Sequence, residues 1–175
     1  NVGINPTRDG ILKVCTMMRA DIELINVKED GGEPYADILV RHSNLKGIEI
    51  GGDIIPALID EIPVIAVLAC FAEGKTVIKD AGELKVKESN RIETTVRNLS
   101  AMGADIYATE DGMVINGGKP LHGAVIDPKL DHRIAMAFSV AGLTADGETE
   151  ILNPECVNIS FPGFFEMVSG TVNKL

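Results

Sequence analysis

Few cysteines, few histidines and a shortage of positive charge set the first limits on this 175-residue sequence. Cys15, Cys70 and Cys156 fall in apolar or turn contexts, form no Cys-x-x-Cys pair and have no histidine at ligand spacing. Their odd number excludes a complete disulfide framework and fits a reduced, cytoplasmic setting, with each thiol read as a small core residue. Lys and Arg number 16 against 26 Asp and Glu, a net charge of −10 at pH 7. A nucleic-acid binder would show a basic surface, so that class is set aside. Small anionic substrates need only a few local cations and are not excluded. No apolar run reaches bilayer length and no signal peptide opens the chain, so no membrane partner is expected. An initiator Met is missing too, and Asn1–Ile4 reads as the middle of a strand, so a fragment of a longer protein is expected. What is present, 45% apolar residues, suffices for one domain with a true core.

The order of elements repeats. Asn5-Pro6-Thr7-Arg8-Asp9-Gly10 is a turn, with Thr7 or Asp9 as cap for a helix through Ile11, Leu12, Val14, Cys15 and Met18. Strands follow at Ala20–Ile25 and Ala36–Val40, broken by Gly31-Gly32-Glu33-Pro34, and Leu45–Ile50 is extended. A strongly apolar helix runs from Asp60 to Phe71, ahead of a short strand at Thr76–Ile78. The second pass gives a helix over Arg91–Met102, strands at Ala104–Tyr107 and Met113–Ile115, a helix over Asp131–Leu143 and a strand at Glu148–Ile151. Met18-Arg19-Ala20-Asp21-Ile22 answers to Met102-Gly103-Ala104-Asp105-Ile106, and Leu45-Lys46-Gly47 to Leu121-His122-Gly123. Two helices carry alanine-rich faces, Ala66, Ala69 and Ala72 on one, Ala135, Ala137 and Ala141 on the other. Such faces allow close packing, so an α/β domain with pseudo-symmetry is expected, helices at the centre and sheets outside.

Three charged clusters stand at helix starts: Asp60-Glu61, Lys87-Glu88-x-x-Arg91 and Asp131-His132-Arg133. Read as one helix, Val86–Leu99 buries Ile92, Val96 and Leu99 and sets Lys87, Glu88 and Arg91 in and just beyond the first turn. Free N–H groups there favour anions, whereas cations oppose the helix dipole. Capping explains Asp60 and Asp131 taken singly, and an ordinary i, i+3 ion pair explains Glu88 and Arg91. His42 and His122 fit surface turns, and His132 fits a helix-end histidine bonded to backbone. Arg133, in the first turn of an apolar helix, is harder to assign to structure. Two Arg and one Lys on one rim would hold carboxylate and phosphate, with guanidinium forks available.

Asp60-Glu61-Ile62-Pro63, Val86-Lys87-Glu88-Ser89-Asn90-Arg91, Asp131-His132-Arg133-Ile134-Ala135-Met136 and Ser160-Phe161-Pro162-x-Phe164-Phe165, in this order, resemble the enolpyruvylshikimate-phosphate synthases. The opening Asn1–Arg8 matches too, so the resemblance covers essentially the whole chain. It implies an α/β (α+β) fold of repeated βαβαββ units, with residues 1–175 as most of the C-terminal domain of a two-domain, monomeric enzyme. The domains would close on shikimate phosphate and phosphoenolpyruvate, and the N-terminal domain would be a partner of this chain. It also implies roles: Asp60 contacts the attacking hydroxyl and accepts its proton, Lys87 touches shikimate phosphate, and Arg91 and Arg133 hold phosphoenolpyruvate. Glu88 protonates the methylene carbon, while Asp131 and His132 line the rim and orient Arg133. No metal or organic cofactor is called for. One carboxyl must be protonated and one ionised, a division that environment can impose. Two departures are visible. Ile159 stands where some members have Lys, and Asn90 stands where Asp is usual. Transfer to a sugar nucleotide, as in the UDP-N-acetylglucosamine enolpyruvyl transferases, and a non-catalytic repeat domain remain the alternatives. In the second, Lys87, Arg91 and Arg133 would lie far apart.

Overall fold

Residues 1–172 are described by a computed structural model. Strand β1 (Val2–Gly3) leads into helix α1 (Gly10–Met17), hairpin β2 (Asp21–Asp30) and β3 (Glu33–Arg41), strand β4 (Glu49–Ile50), helix α2 (Ile62–Cys70) and strand β5 (Lys75–Ile78). The same order returns as α3 (Arg91–Ala101), β6 (Asp105–Ala108), β7 (Met113–Asn116), β8 (Val125–Ile126), α4 (His132–Gly142) and β9 (Glu150–Ile151), and α5 (Phe164–Val172) follows.

Backbone hydrogen bonds fall at corresponding places in the two passes. Lys46 N donates to Met18 O and His122 N to Met102 O, each at 2.9 Å; Gly47 N donates to Glu73 O and Gly123 N to Asp146 O, each at 2.8 Å. Gly47 and Gly123 share a reason for lacking a side chain. A Cβ would meet the backbone oxygen of Lys75 at 2.4 Å in the first case and of Glu148 at 2.1 Å in the second. Hairpin β6–β7 pairs antiparallel with β5, which is itself parallel to β4, so one four-stranded sheet (β4-β5-β7-β6) joins the two passes. Strands β1-β3-β2 and β8-β9 form two further sheets.

Helices α2, α3 and α4 pack together inside these sheets. Ala66, Ala69, Ala72, Ala135 and Ala141 are wholly buried and Ala137 nearly so, around Ile62, Ile65, Leu99, Ile134 and Phe138. The central-helix arrangement expected from the alanine faces is therefore the arrangement observed. Cys70 and Cys156 are buried and Cys15 half-buried, all three free thiols, as core residues would be. Among the described residues no helix is long and apolar enough to cross a membrane.

The structure differs from the sequence reading in three respects. The helix read over Val86–Leu99 begins only at Arg91, because the Asn90 side chain accepts from Glu93 N and caps it; Lys87 is extended. Strand β2 runs to Asp30 rather than ending at Ile25, past a register shift between Ile25 and Lys28. Short 3-10 segments at Gly52–Ala57, Gly82–Val86 and Pro154–Ile159, and helix α5, stand beyond the elements expected from the sequence.

Candidate active site

Arg91 is the largest fully buried side chain, 1% exposed, and three carboxylates from three separate stretches meet it. Its Nε donates to Asp131 Oδ2 at 2.8 Å and its Nη1 to Asp60 Oδ1 at 3.0 Å. Its Nη2 donates to Glu88 Oε2 at 2.5 Å and to Asp131 Oδ1 at 3.3 Å. A cation at the first position of α3 opposes the helix dipole, and these partners offset that cost. Burial would lower the Arg91 pKa, but hydrogen bonds and charge from Asp131, with Glu88 and Asp60 behind it, raise it on balance.

Asp131 does two jobs at once. As N-cap of α4 it accepts from Arg133 N at 3.0 Å, and it also accepts from Ser89 Oγ at 3.0 Å. It is fully enclosed, so its carboxylate faces Arg91 rather than the open rim. Burial pushes its pKa up, and the Arg91 hydrogen bond and charge, Ser89 and the helix N–H outweigh this, leaving it below the usual aspartate value. Lys129 and Leu130, just before it, both hold positive φ (55° and 60°), a conformation costly for a side chain the size of Leu. Asp127 Oδ1 pins that bend by accepting from Lys129 N at 3.0 Å.

Asp60 does not cap α2, since Glu61 is the N-cap residue and neither side chain caps. Instead Asp60 Oδ2 lies 3.3 Å from Arg133 Nη2 and 3.4 Å from Arg8 Nη1. Glu61 Oε1 lies 3.1 Å from Arg8 Nη2 and 3.8 Å from Arg133 Nη1. Burial pushes the Asp60 carboxyl up; Arg133, the Arg91 hydrogen bond and charge, and Arg8 overcome this and hold it below the ordinary aspartate value. Beside it opens a cleft of about 170 Å³, walled by Val64, Met136, Ala137, Val140 and Phe164 with Asp60, Glu61 and Arg133 at its polar end.

Five of the residues singled out from sequence, Asp60, Glu88, Arg91, Asp131 and Arg133, thus form one connected network. Lys87 stands next to it but pairs with Glu83, one turn earlier. His132 is half-buried at the first position of α4. Glu88 is half-exposed at 52% and is the accessible acid of the Arg91 set. Four cations (Arg8, Lys87, Arg91, Arg133) face five carboxylates (Asp60, Glu61, Glu83, Glu88, Asp131), so each cation already has an acidic partner. An anion arriving there would have to displace a carboxylate, since no bare charge awaits it. Among the described residues no group of three or more His, Cys, Asp and Glu side chains could hold a metal ion.

Arg8 is the participant that motif reading left out of the site. Its signal was present: a cation in a Pro turn just ahead of a helix, as oddly placed as Arg133. Ile159, in place of a possible lysine, is 80% exposed.

Residues 1–168 match the family described as EPSP synthase (3-phosphoshikimate 1-carboxyvinyltransferase). A curated 3-phosphoshikimate 1-carboxyvinyltransferase from Thermoanaerobacter sp. (strain X514) is 61% identical over 166 residues, 95% of this chain and 39% of that protein. The solved EPSP synthase of Acinetobacter baumannii superimposes with a TM-score of 0.92 at 45% identity, over 96% of this chain and 40% of that one. The enolpyruvyl transferase NikO of Streptomyces tendae shares the fold, with a TM-score of 0.69 at 19% identity over 91% of this chain and 34% of that one. This chain therefore spans about two-fifths of the length of its relatives. With motifs, fold and sequence in agreement along nearly all of that span, the chain belongs to the EPSP synthase family.

Proposed function

We propose that this chain supplies one wall of the active site that transfers the enolpyruvyl group of phosphoenolpyruvate to a hydroxyl of shikimate phosphate, releasing phosphate. The observation that carries the reading is the convergence of Asp60, Glu88 and Asp131 on the buried Arg91, with Arg133 on the same aspartate. In this reading residues 1–175 are most of a C-terminal domain, and an N-terminal domain of the same cytoplasmic, monomeric enzyme supplies the opposite wall.

Phosphoenolpyruvate brings a carboxylate and a phosphate, both suited to guanidinium forks. Arg133 is one-third exposed and turns to the anion; Arg91 stays anchored by Asp131 and offers the edge that Glu88 now occupies. A ligand taking that edge leaves the Glu88 carboxyl beside it, in reach of the methylene carbon. Lys87, adjacent on the chain, exchanges Glu83 for shikimate phosphate. His132, beside Arg133 on α4, lines the rim, while Asp131 acts through Arg91 and the helix cap. Glu88, once it has taken up a proton, gives it to the methylene carbon as the substrate oxygen bonds to the neighbouring carbon, and Asp60 takes the hydroxyl proton. Elimination reverses this traffic: the new methyl group returns a proton to Glu88, its C–H electron pair becomes the double bond as the C–O bond to phosphate breaks, and Asp60 passes its proton to the departing phosphate. Asp60, held ionised by three arginines, suits the acceptor role.

The test uses the complete enzyme carrying this chain. Glu88→Gln should lower phosphate release with shikimate phosphate by about 100-fold or more, and this chain alone should show no turnover. A parental rate in the variant, or turnover by the chain alone, would overturn the assignment.

A further inference from the structure

Asp60 is held differently at its two oxygens. Oδ1 takes the buried Arg91, whereas Oδ2 is shared by two guanidiniums, Arg8 at 3.4 Å and Arg133 at 3.3 Å. The same two arginines straddle Glu61 Oε1. Asp60, Glu61, Arg8 and Arg133 therefore close a ring, built from the turn before α1, the start of α2 and the start of α4.

The turn that carries Arg8 is firmly made. Asn5 Oδ1 accepts from Thr7 N at 3.0 Å and from Thr7 Oγ1 at 2.8 Å, Asn5 O accepts from Arg8 N at 2.8 Å, and Asn5 Nδ2 donates to Glu33 at 2.8 Å. At its end Gly10 lies so close to Ala57 and Leu58 that a Cβ would meet both at 2.8 Å, which seats the turn three residues or less from Asp60. Arg8 itself is half-exposed, at 51%. As a structural ion pair in that setting it would add little.

We propose that Arg8 is a positioning residue for Asp60, the cation that stays with Asp60 and Glu61 when Arg133 turns to the substrate's anionic group. This rests on the reading of Asp60 as proton acceptor. With Arg133 engaged, the charged groups facing Asp60 are Arg8 from the α1 turn, Arg91 from α3 and the adjacent Glu61, with Glu88 and Asp131 acting through Arg91. Without Arg8, Oδ2 loses its remaining partner, and Glu61, whose Oε2 is already buried without one, repels Asp60 with only Arg91, on Oδ1, to oppose it.

In the complete enzyme, Arg8→Gln should lower kcat about tenfold and move the acidic limb of the kcat profile to higher pH. The KM for phosphoenolpyruvate should change by less than about threefold, since Arg8 does not bind it. Arg8→Lys, which keeps the charge without the fork, should restore the position of the limb and part of the rate. A second readout needs no turnover: the Asp60 carboxyl signal of this chain, followed by NMR, should titrate at higher pH in Arg8→Gln. An unmoved limb and unmoved titration, or a rise in KM with kcat intact, would overturn the proposal. Asp60→Asn separates the two levels. If it abolishes turnover while Arg8→Gln keeps the parental profile, only the role of Arg8 fails; if it remains active, the reading of Asp60 itself fails.

Discussion

At the scale of single residues, Asp131 has the most to lose. It has no exposed surface and accepts from Arg91 twice, from Ser89 and from the α4 backbone. Asparagine has nearly the same shape, so Asp131→Asn leaves no cavity; it removes the negative charge that neutralises a buried guanidinium and turns one acceptor into a donor aimed at other donors. Breaking one partner of a buried ion pair in this way costs about 3 kcal/mol. Urea denaturation of the variant and parent at pH 7 measures it, and a loss under about 1 kcal/mol would mean that Asp60 and Glu88 alone suffice for Arg91. Asn90, one of the departures seen in the sequence, has a local explanation. It caps α3 through Glu93 N, and its amide meets the Glu93 carboxylate at 3.3 Å, a task for which the lost charge is not needed.

At the scale of elements, the alanine faces decide how near α2 and α4 can approach. Ala69 is wholly buried, and the loop after β7 presses on the same place: a Cβ on Gly117 would meet Ala69 O at 2.4 Å. Ala69→Leu inserts a branched side chain at a position with no exposed surface, so it should destabilise by about 2 kcal/mol, read by thermal or urea unfolding; a neutral result would show a looser core. These helices were legible because Ile, Leu, Val and Ala recur at helical spacing for three turns. The 3-10 segments were not, because five or six residues hold no period, and two of them contain a proline, Pro56 and Pro154. The helix start at Arg91 was legible from the repeat, whereas the longer reading back to Val86 failed because Lys87 and Glu88 extend the polar pattern past the Asn90 cap. Within the site, Asp60, Glu88, Arg91 and Arg133 were legible as motif residues. Their partners were less so, since Arg8 reaches Asp60 and Glu61 across 52 and 53 positions and only the folded turn brings it there.

At the scale of the whole molecule, a net charge of −10 at pH 7 and a buried ion network respond to pH in opposite ways. Self-repulsion among surplus carboxylates weakens the fold at neutral pH, and mild acid or salt relieves it. The network works the other way. Asp60 and Asp131 have folded-state values below the ordinary aspartate value of 3.8, so each stabilises the fold fully above that value and loses its contribution as pH falls through the lower, folded one. Exposed acids share the direction, Glu49 by its hydrogen bond to Lys79 and Glu73 by that to Lys46, but solvent and salt screen them. Stability should therefore change little between about pH 7 and 5 and fall steeply below about pH 4, as protons bind the unfolded chain first. Moderate salt should flatten the surface share and leave the steep part, because a pair with no exposed surface is screened least. Asp131→Asn carries the decisive comparison: it lowers the plateau and shallows the acid slope together, since the same carboxylate supplies both. Urea midpoints from pH 7 to pH 3 in parent and variant measure this. Parallel curves would place the acid sensitivity at the surface and deny the Arg91 network its hold on the three helices.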